Sequence, residues 1–430
     1  LPSDAGATRP KATHFPERRN SDAERRRGFA LATHATRHCG TSDTVSQRRR
    51  IPSETEETKI SEPWSDPTQG GATHVLAQDP GVLPFWTDVE THASFVSPEF
   101  SSPPVSSSFE GYEISGHDTW TQGPMLQQTL NILEQFDLRT IGHNSPEYIH
   151  TVTEALKLVF GDREAYYGDP EFAEVPIDGL LSKAYAVERS ALIVPERALP
   201  EQAAPGEPWR FSNASGGIAP ARKGAAQASH GVTDPSSAEG TTHVSVLDNH
   251  GNMVCSTISG GAFAKSVFFP DLGCALSTRI EMFNCEPGHP NVVEPGKRPR
   301  TTLINYIVSK DGKPVMTIGC PGGENQAQAN LQLVLNVLVF GMDPQQAVEA
   351  PRFASQNVEN SFYPHVYLPG QLDLEPGIPE STAEALAAKG HVIARTATCG
   401  LGATVSVRDP QTGNLSTSGD PRRSCYALGL

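Results

Sequence analysis

The chain of 430 residues carries 34 Lys and Arg against 49 Asp and Glu, a formal net charge of −15, which argues against nucleic acid or an anionic membrane surface as the main partner. That length allows two or three average domains or one large layered unit, and in either case a substantial core. No run of about 18 apolar residues occurs, so no transmembrane helix is expected. The N-terminus also lacks the apolar stretch of a secretory signal, and the sequence reads as a soluble chain without a visible address.

The charge is unevenly spread: residues 1–50 hold 11 Lys/Arg against 5 Asp/Glu, leaving 23 against 44 for the remainder. Residues 1–75 are rich in Arg, Ser, Thr and Glu and poor in apolar side chains. Such a segment buries too little surface to offset its ordering entropy, so it is expected to be disordered or divergent, with a basic binding arm as the sharper alternative. Residues 76–108 are transitional and end in SSPPVSSSF, which reads as a loop. The seven cysteines, Cys39, Cys255, Cys274, Cys285, Cys320, Cys399 and Cys425, include no CxxC pair or Cys/His ligand spacing. Buried free thiols are expected, no metal site is predicted, and one or two bridges stay open.

Order begins near Phe109. FEGYEIS reads as a strand, and GHDTWTQGP as a turn-rich loop in which one tryptophan anchors an otherwise exposed segment holding His117 and Gln122. MLQQTLNILEQF has helical spacing. A second helix, PEYIHTVTEALKLVFGDREAYYGD, takes Ser145 as N-cap and Pro146 at its first position, and LLSKAYAVERSALI gives a third. Residues 195–239, rich in Pro, Ala, Gly and Ser, read as an exposed linker that tolerates cleavage.

After residue 240 the pattern turns to hairpins: THVSVLD and MVCSTIS across NHGN, then LINYIVS and PVMTIGC across Lys310-Asp311-Gly312-Lys313. QANLQLVLNVLVFG is an apolar helix stopped by Gly341. DPQQAVEAPRF starts another with Asp343 as N-cap, STAEALAAKG ends at Gly390, and ATVSVRDPQTGNLSTSGD closes the chain as a hairpin. Antiparallel hairpins alternating with apolar helices predict an α+β fold of stacked helix and sheet layers.

The stretch that carries chemistry is Gly240-Thr241-Thr242-His243. A threonine at a loop-to-strand junction becomes a nucleophile if the peptide bond before it is cut, because the freed α-amine can take the proton of its own hydroxyl. On these residues alone, a loop end opening an ordinary strand is the better account of the pattern. The wider sequence resembles the gamma-glutamyltransferase family of N-terminal-nucleophile hydrolases. The matching blocks, in order, are LNILEQFDL, EALKLVFGDREAYYGDPEF, the LLSK-YA block, Thr241-Thr242-His243, PGKRP at 295–299, CPGG at 320–323, LQLVLNVLVFGMDPQQAVEAPRF and GDPR at 419–422. Together they span roughly residues 109–430.

The resemblance implies a four-layer αββα sandwich whose central sheets draw on both halves of a self-cleaved precursor. It implies a division into a large-subunit-like part, 76–240, and a small-subunit-like part, 241–430, associated as a heterodimer. It also implies a small-molecule amide substrate, glutathione-like or another acidic amide, with water or an amine as acceptor and no cofactor. By the family pattern Thr241 is the nucleophile and Gly322 and Gly323 offer backbone N–H groups to the oxyanion. Ser259 holds the nucleophile's amine, and Thr301 and Thr302 stand where paired serines approach the oxyanion and the substrate carboxylate. Without the resemblance, Pro-Gly-Gly is a simple turn and Ser259 a half-buried strand serine. Lys297 reads as a solvated loop charge, Arg300 as a cation placed to meet an anionic substrate, and Arg352, Asp420 and Arg422 as structural.

Two departures bear on substrate. Where the family has a segment resembling NNEMDDF, this chain has Ser277-Thr278-Arg279-Ile280-Glu281-Met282-Phe283, with Met282 at the acidic position that grips an α-amine, Glu281 beside it and Arg279 adding positive charge. An arginine there repels an ammonium and favours a carboxylate. Gly261 stands where an asparagine is usual. The glycine-rich helix start and carboxylate-binding arginine that the family carries further upstream have no counterpart in 1–75. Three readings follow: a gamma-glutamyltransferase-like enzyme, an acylase of the same family acting on a different small acidic amide, or a non-catalytic relative that binds a ligand or partner.

Overall fold

The computed structural model describes residues 102–213, 240–261, 266–400 and 402–429. The expectations for residues 1–75 and for most of the linker before Gly240 lie outside them. The described part opens with a hairpin, β1 (Val105–Phe109) and β2 (Tyr112–Gly116), turned by Glu110 and Gly111 at φ 52° and 78°. Two successive left-handed residues are the turn that matches strand twist. The loop expected up to residue 108 is therefore a strand, because Ser106 and Ser115 pair through their hydroxyls at 2.8 Å and Phe109 is buried at its end. Serines suit this strand because it lies at the sheet's edge, where polar side chains meet water.

Helix α1 (Pro124–Leu133) is buried along its whole length, and α2 (Pro146–Tyr166) begins, as expected, with the Ser145 hydroxyl accepting from the Tyr148 N–H. A short helix α3 (Lys183–Ser190) completes this part. Beyond Gly240 come the predicted hairpin β3 (Thr242–Leu247) and β4 (Met253–Ile258), then β5 (Asn305–Lys310) and β6 (Lys313–Gly319). Helix α4 (Asn325–Leu338) ends three residues before Gly341, and α5 (Pro344–Glu349) starts from a capping box between Asp343 and Gln346. The remainder is β7 (Phe353–Ser355), β8 (Gln371–Leu374), α6 (Glu380–Ala388), β9 (Val392–Arg395), β10 (Thr404–Arg408) and β11 (Leu415–Thr417).

Six strands form one antiparallel sheet in the order β1-β2-β5-β6-β10-β11. This sheet draws on chain from both sides of Gly240: β2, before it, pairs with β5, after it. Helices α1 and α4 pack beside the sheet, and α2 lies against α1. The β3–β4 hairpin packs against β5, β6 and β10. Its other face exposes Val244, Val246, Val254 and Ile258 at 48%, 57%, 63% and 59%. Among the described residues the layers are thus helix, six-stranded sheet and two-stranded sheet. A smaller sheet, β9-β8-β7, stands apart.

One contact between the hairpin and the large sheet is especially close. A side-chain carbon built on Gly319, the last residue of β6, would lie 2.0 Å from the His243 ring of β3. Only a glycine lets the ring and backbone approach in this way. Gly319→Ala is expected to destabilise the protein by about 1–3 kcal/mol through overpacking, read as a lower denaturation midpoint. An unchanged midpoint would mean that the hairpin is free to shift.

Candidate active site

Thr241 immediately precedes β3, and its hydroxyl donates to the Ser259 Oγ at 2.9 Å, just beyond the end of β4. The pairing is a product of hairpin register, since Thr242 stands opposite Ile258. Ser259 Oγ in turn accepts from the Gly261 N–H at 3.2 Å. Gly261, where an asparagine was expected, sits at φ 104°, and a side-chain carbon there would lie 2.2 Å from the Thr278 hydroxyl.

His243, two residues beyond Thr241, hydrogen-bonds to Thr257 Oγ1 at 2.8 Å and Ser245 Oγ at 2.9 Å. The Thr257 hydroxyl already donates to the Ile304 carbonyl at 3.0 Å, so His243 Nδ1 is the donor to it and Nε2 accepts. The ring is neutral, and burial pushes its pKa down from 6.5 to about 4. A depressed folded-state pKa means that the unfolded chain binds the proton more readily; this share of stability is present above about pH 6.5 and lost as pH falls toward 4. The thermal midpoint is expected to decline across that window, and less steeply in His243→Gln; equal slopes would exclude His243 as the source.

The Pro321-Gly322-Gly323 turn follows β6. Gly322 and Gly323 have φ of 129° and 55°, which an L side chain would strain. Their carbonyls accept from the Asn325 and Gln326 N–H groups, while neither glycine N–H donates to any backbone or side-chain acceptor among the described residues. Two unspent, partly exposed N–H groups on a rigid turn can receive a developing negative charge.

Thr301 and Thr302 are both buried. The Thr301 N–H donates to the Trp120 carbonyl at 2.9 Å, and the Thr302 hydroxyl accepts from Arg279 Nη1 at 3.3 Å. Arg279 is 7% exposed, on a single 3-10 turn that also carries Glu281 and Met282. Its Nη1 also meets the Met282 sulfur at 3.3 Å, its guanidinium lies 5.6 Å from the Phe362 ring centre, and its Nε is buried without a partner. Among the described residues no carboxylate pairs with it. Burial lowers its pKa to about 10, against the pull of Glu324 and Glu281, so it stays charged at neutral pH.

Several charges are placed differently from expectation. Lys297 is not a solvated loop charge: it is 7% exposed, pairs with Glu294 at 3.0 Å and lies over the Phe172 ring. Arg300 faces inward, where it pairs with Glu164 at 3.0 Å and reaches Ser361. It is spent on the protein rather than offered to a ligand. Arg352 and Arg422 are structural as expected, the first bonded to Asp420 and the second to Glu375 at 2.9 Å. Of the six described cysteines all are free thiols, but Cys274 and Cys285 are exposed instead of buried.

Gln122 was underrated by the sequence. It is fully buried, and its carboxamide joins Thr302, Gly323 and Arg163. The apolar helix that follows it gave no hint of this, since the partners lie some 40 to 200 positions away along the chain.

His150, Glu154 and His391 bring one ligand atom each within 4.8 Å of one another. The two imidazoles already bond each other at 3.0 Å, and Glu154 is occupied by Lys157 at 2.7 Å. A buried ammonium beside the cluster opposes a cation there.

Residues 88–430 match the family model for gamma-glutamyltranspeptidase. The chain is 34% identical over 295 residues to the acylase ACY 1 proenzyme of Pseudomonas sp. (strain V22), covering 68% of this chain and 46% of that protein. It is 31% identical over 331 residues to the glutathione hydrolase proenzyme of Bacillus subtilis (strain 168), covering 76% of this chain and 52% of that one. Among solved structures, LmbA2991HD superposes with a TM-score of 0.68 at 36% identity, over 75% of this chain and 54% of the other. The chain belongs to the gamma-glutamyltranspeptidase family, and its mixed helices and sheets match those of LmbA2991HD and of the cephalosporin acylase from Bacillus halodurans, the latter at a TM-score of 0.60 and 28% identity over 76% of this chain and 53% of the other. It spans about half the length of the curated relatives it matches. No helix among the described residues is long and apolar enough to cross a membrane.

Proposed function

We propose that the protein is a self-processing amide hydrolase or acyltransferase in which Thr241 is the nucleophile. The observation that carries this reading is the Thr241 hydroxyl held at 2.9 Å by Ser259, at the head of a strand that packs beside the strand leading into a Gly-Gly turn with two unspent N–H groups. Scission of the Gly240-Thr241 bond frees an α-amine, which takes the hydroxyl proton as the oxygen attacks the amide carbonyl. The oxyanion forms against the Gly322 and Gly323 N–H groups. The amine leaves with the proton, and water or an amine resolves the acyl-threonine. Strands from either side of the scission share one sheet, which is the reason to expect the two pieces to stay together as a heterodimer. The apolar outer face of β3–β4 supports the four-layer sandwich, since a further layer covers it in that arrangement.

On substrate, Arg279 and Met282 favour the acylase reading over glutathione. A buried guanidinium beside the Thr302 hydroxyl, with no carboxylate partner among the described residues, suits the free carboxylate of an acyl group, and Met282 offers nothing to an ammonium. Glu281, on the same turn, is assigned to the rim of this subsite.

Incubation at neutral pH followed by intact mass measurement should give two fragments meeting between Gly240 and Thr241, and Thr241→Ala should give none and no turnover. An uncut wild-type chain favours the non-catalytic relative instead. Arg279→Glu should reverse the preference between amides whose acyl group bears only a carboxylate and those bearing an α-amine as well. An unchanged ranking removes Arg279 from the substrate site.

A further inference from the structure

We infer that Gln122 is a positioning residue that sets the distance between the carboxylate subsite and the oxyanion turn, and with it the length of acyl group accepted. The inference rests on the amide-hydrolase reading of the site. Gln122 Nε2 donates to the Thr302 carbonyl at 3.0 Å and to the Gly323 carbonyl at 3.0 Å. Its Oε1 accepts from Arg163 Nη1 at 3.0 Å. One fully buried carboxamide therefore clamps the two backbone segments directly, where the other links among the described residues run through β5 and β6 or, less directly, through Arg300, Ser361 and Glu324.

Each segment carries one half of the proposed chemistry. Thr302 bonds Arg279, which receives the acyl carboxylate, while Gly323 belongs to the turn that receives the oxyanion. The reacting carbonyl and the carboxylate of a bound acyl group must span the interval between them. The clamp is itself rigid, because the loop that holds Gln122 is braced on both sides. The Trp120 carbonyl accepts from the Thr301 N–H, the Gly123 carbonyl accepts from the Tyr306 hydroxyl at 2.8 Å, and a side-chain carbon on Gly123 would lie 2.1 Å from the His117 carbonyl. The Arg163 bond leaves Gln122 no freedom to flip, since the guanidinium can only donate. Gln122 acts through the backbone carbonyls of Thr302 and Gly323, and its own carboxamide is spent on these and on Arg163.

The test compares wild type with Gln122→Met, which keeps length and loses all three bonds, and Gln122→Asn, which keeps the amide but is one methylene too short to reach both carbonyls. Rates are measured on the anilides of succinic, glutaric and adipic acids. Wild type is expected to prefer one length. Gln122→Met should lose that preference and fall about 100-fold in kcat on the favoured length, the order expected of a misplacement of about 1 Å, while KM changes much less. Gln122→Asn should lie between. Retained length preference in Gln122→Met overturns the inference.

Hydrogen exchange of the peptide 321–328 separates this from failure of the amide reading. The Asn325 and Gln326 amides bond the Gly322 and Gly323 carbonyls, and Gln122→Met should speed their exchange at least tenfold with peptide 305–318 unchanged. If wild type turns over no amide, the functional reading fails. Unchanged exchange in Gln122→Met overturns the clamp whatever the activity.

Discussion

The buried guanidinium of Arg163 is the interaction on which the rest of the site depends. It sits near the end of α2, fully enclosed, and its five N–H groups reach Gln122 at 3.0 Å, Glu324 at 3.4 Å, Glu164 at 2.7 Å and the Glu359 carbonyl at 2.8 Å. These partners come from the loop before α1, the first residue before α4, α2 itself and the loop after β7. Burial works to raise the Glu164 pKa, but Arg163 and Arg300 outweigh it and hold the carboxyl near 2. A buried charge is tolerated only when it is paired and hydrogen-bonded, and taking one partner away leaves an uncompensated charge worth about 3–5 kcal/mol. The network therefore acts less as a source of stability than as a selector: four segments must arrive together or none is satisfied.

That selection explains how the turn that follows β6 acquires a definite geometry. Glu324 directly follows Gly323 and accepts from both Arg163 and the Ser361 N–H. The Gly-Gly turn is held from behind by a carboxylate and from the side by Gln122. Its N–H groups are left unspent among the described residues. The hairpin that presents Thr241 is held quite differently, through the His243 ring against Gly319, the Thr257 hydroxyl donating to the Ile304 carbonyl and the Asn305 carboxamide donating to the Cys255 carbonyl. One half of the site thus rests on a charge network beneath the large sheet and the other on a neutral imidazole above it.

The hairpin is enclosed on one face only. Its inner residues reach the large sheet, while Val244, Val246, Val254 and Ile258 face outward. A strand pair with apolar residues on both faces is built to be covered on both.

Much of this was legible in the sequence because it is local. Caps at Ser145 and Asp343, the turns at 249–252 and 311–312, and the place of Thr241 at a loop-to-strand junction follow from residues within a few positions of one another. The pairing of Thr241 with Ser259 follows from hairpin register alone. What only the tertiary structure decided was the fate of the charges and amides. Lys297 and Arg300 look alike as loop cations, yet both turn inward, and Gln122 looks like a loop glutamine and becomes the clamp. Val105–Phe109 likewise became a strand only by pairing with its neighbour. Local sequence sets backbone geometry through sterics and nearby hydrogen bonds, whereas a buried polar side chain such as Gln122 or Arg300 takes its role largely from partners that topology brings from some 40 to 200 residues away, and no short-range pattern encodes which those will be.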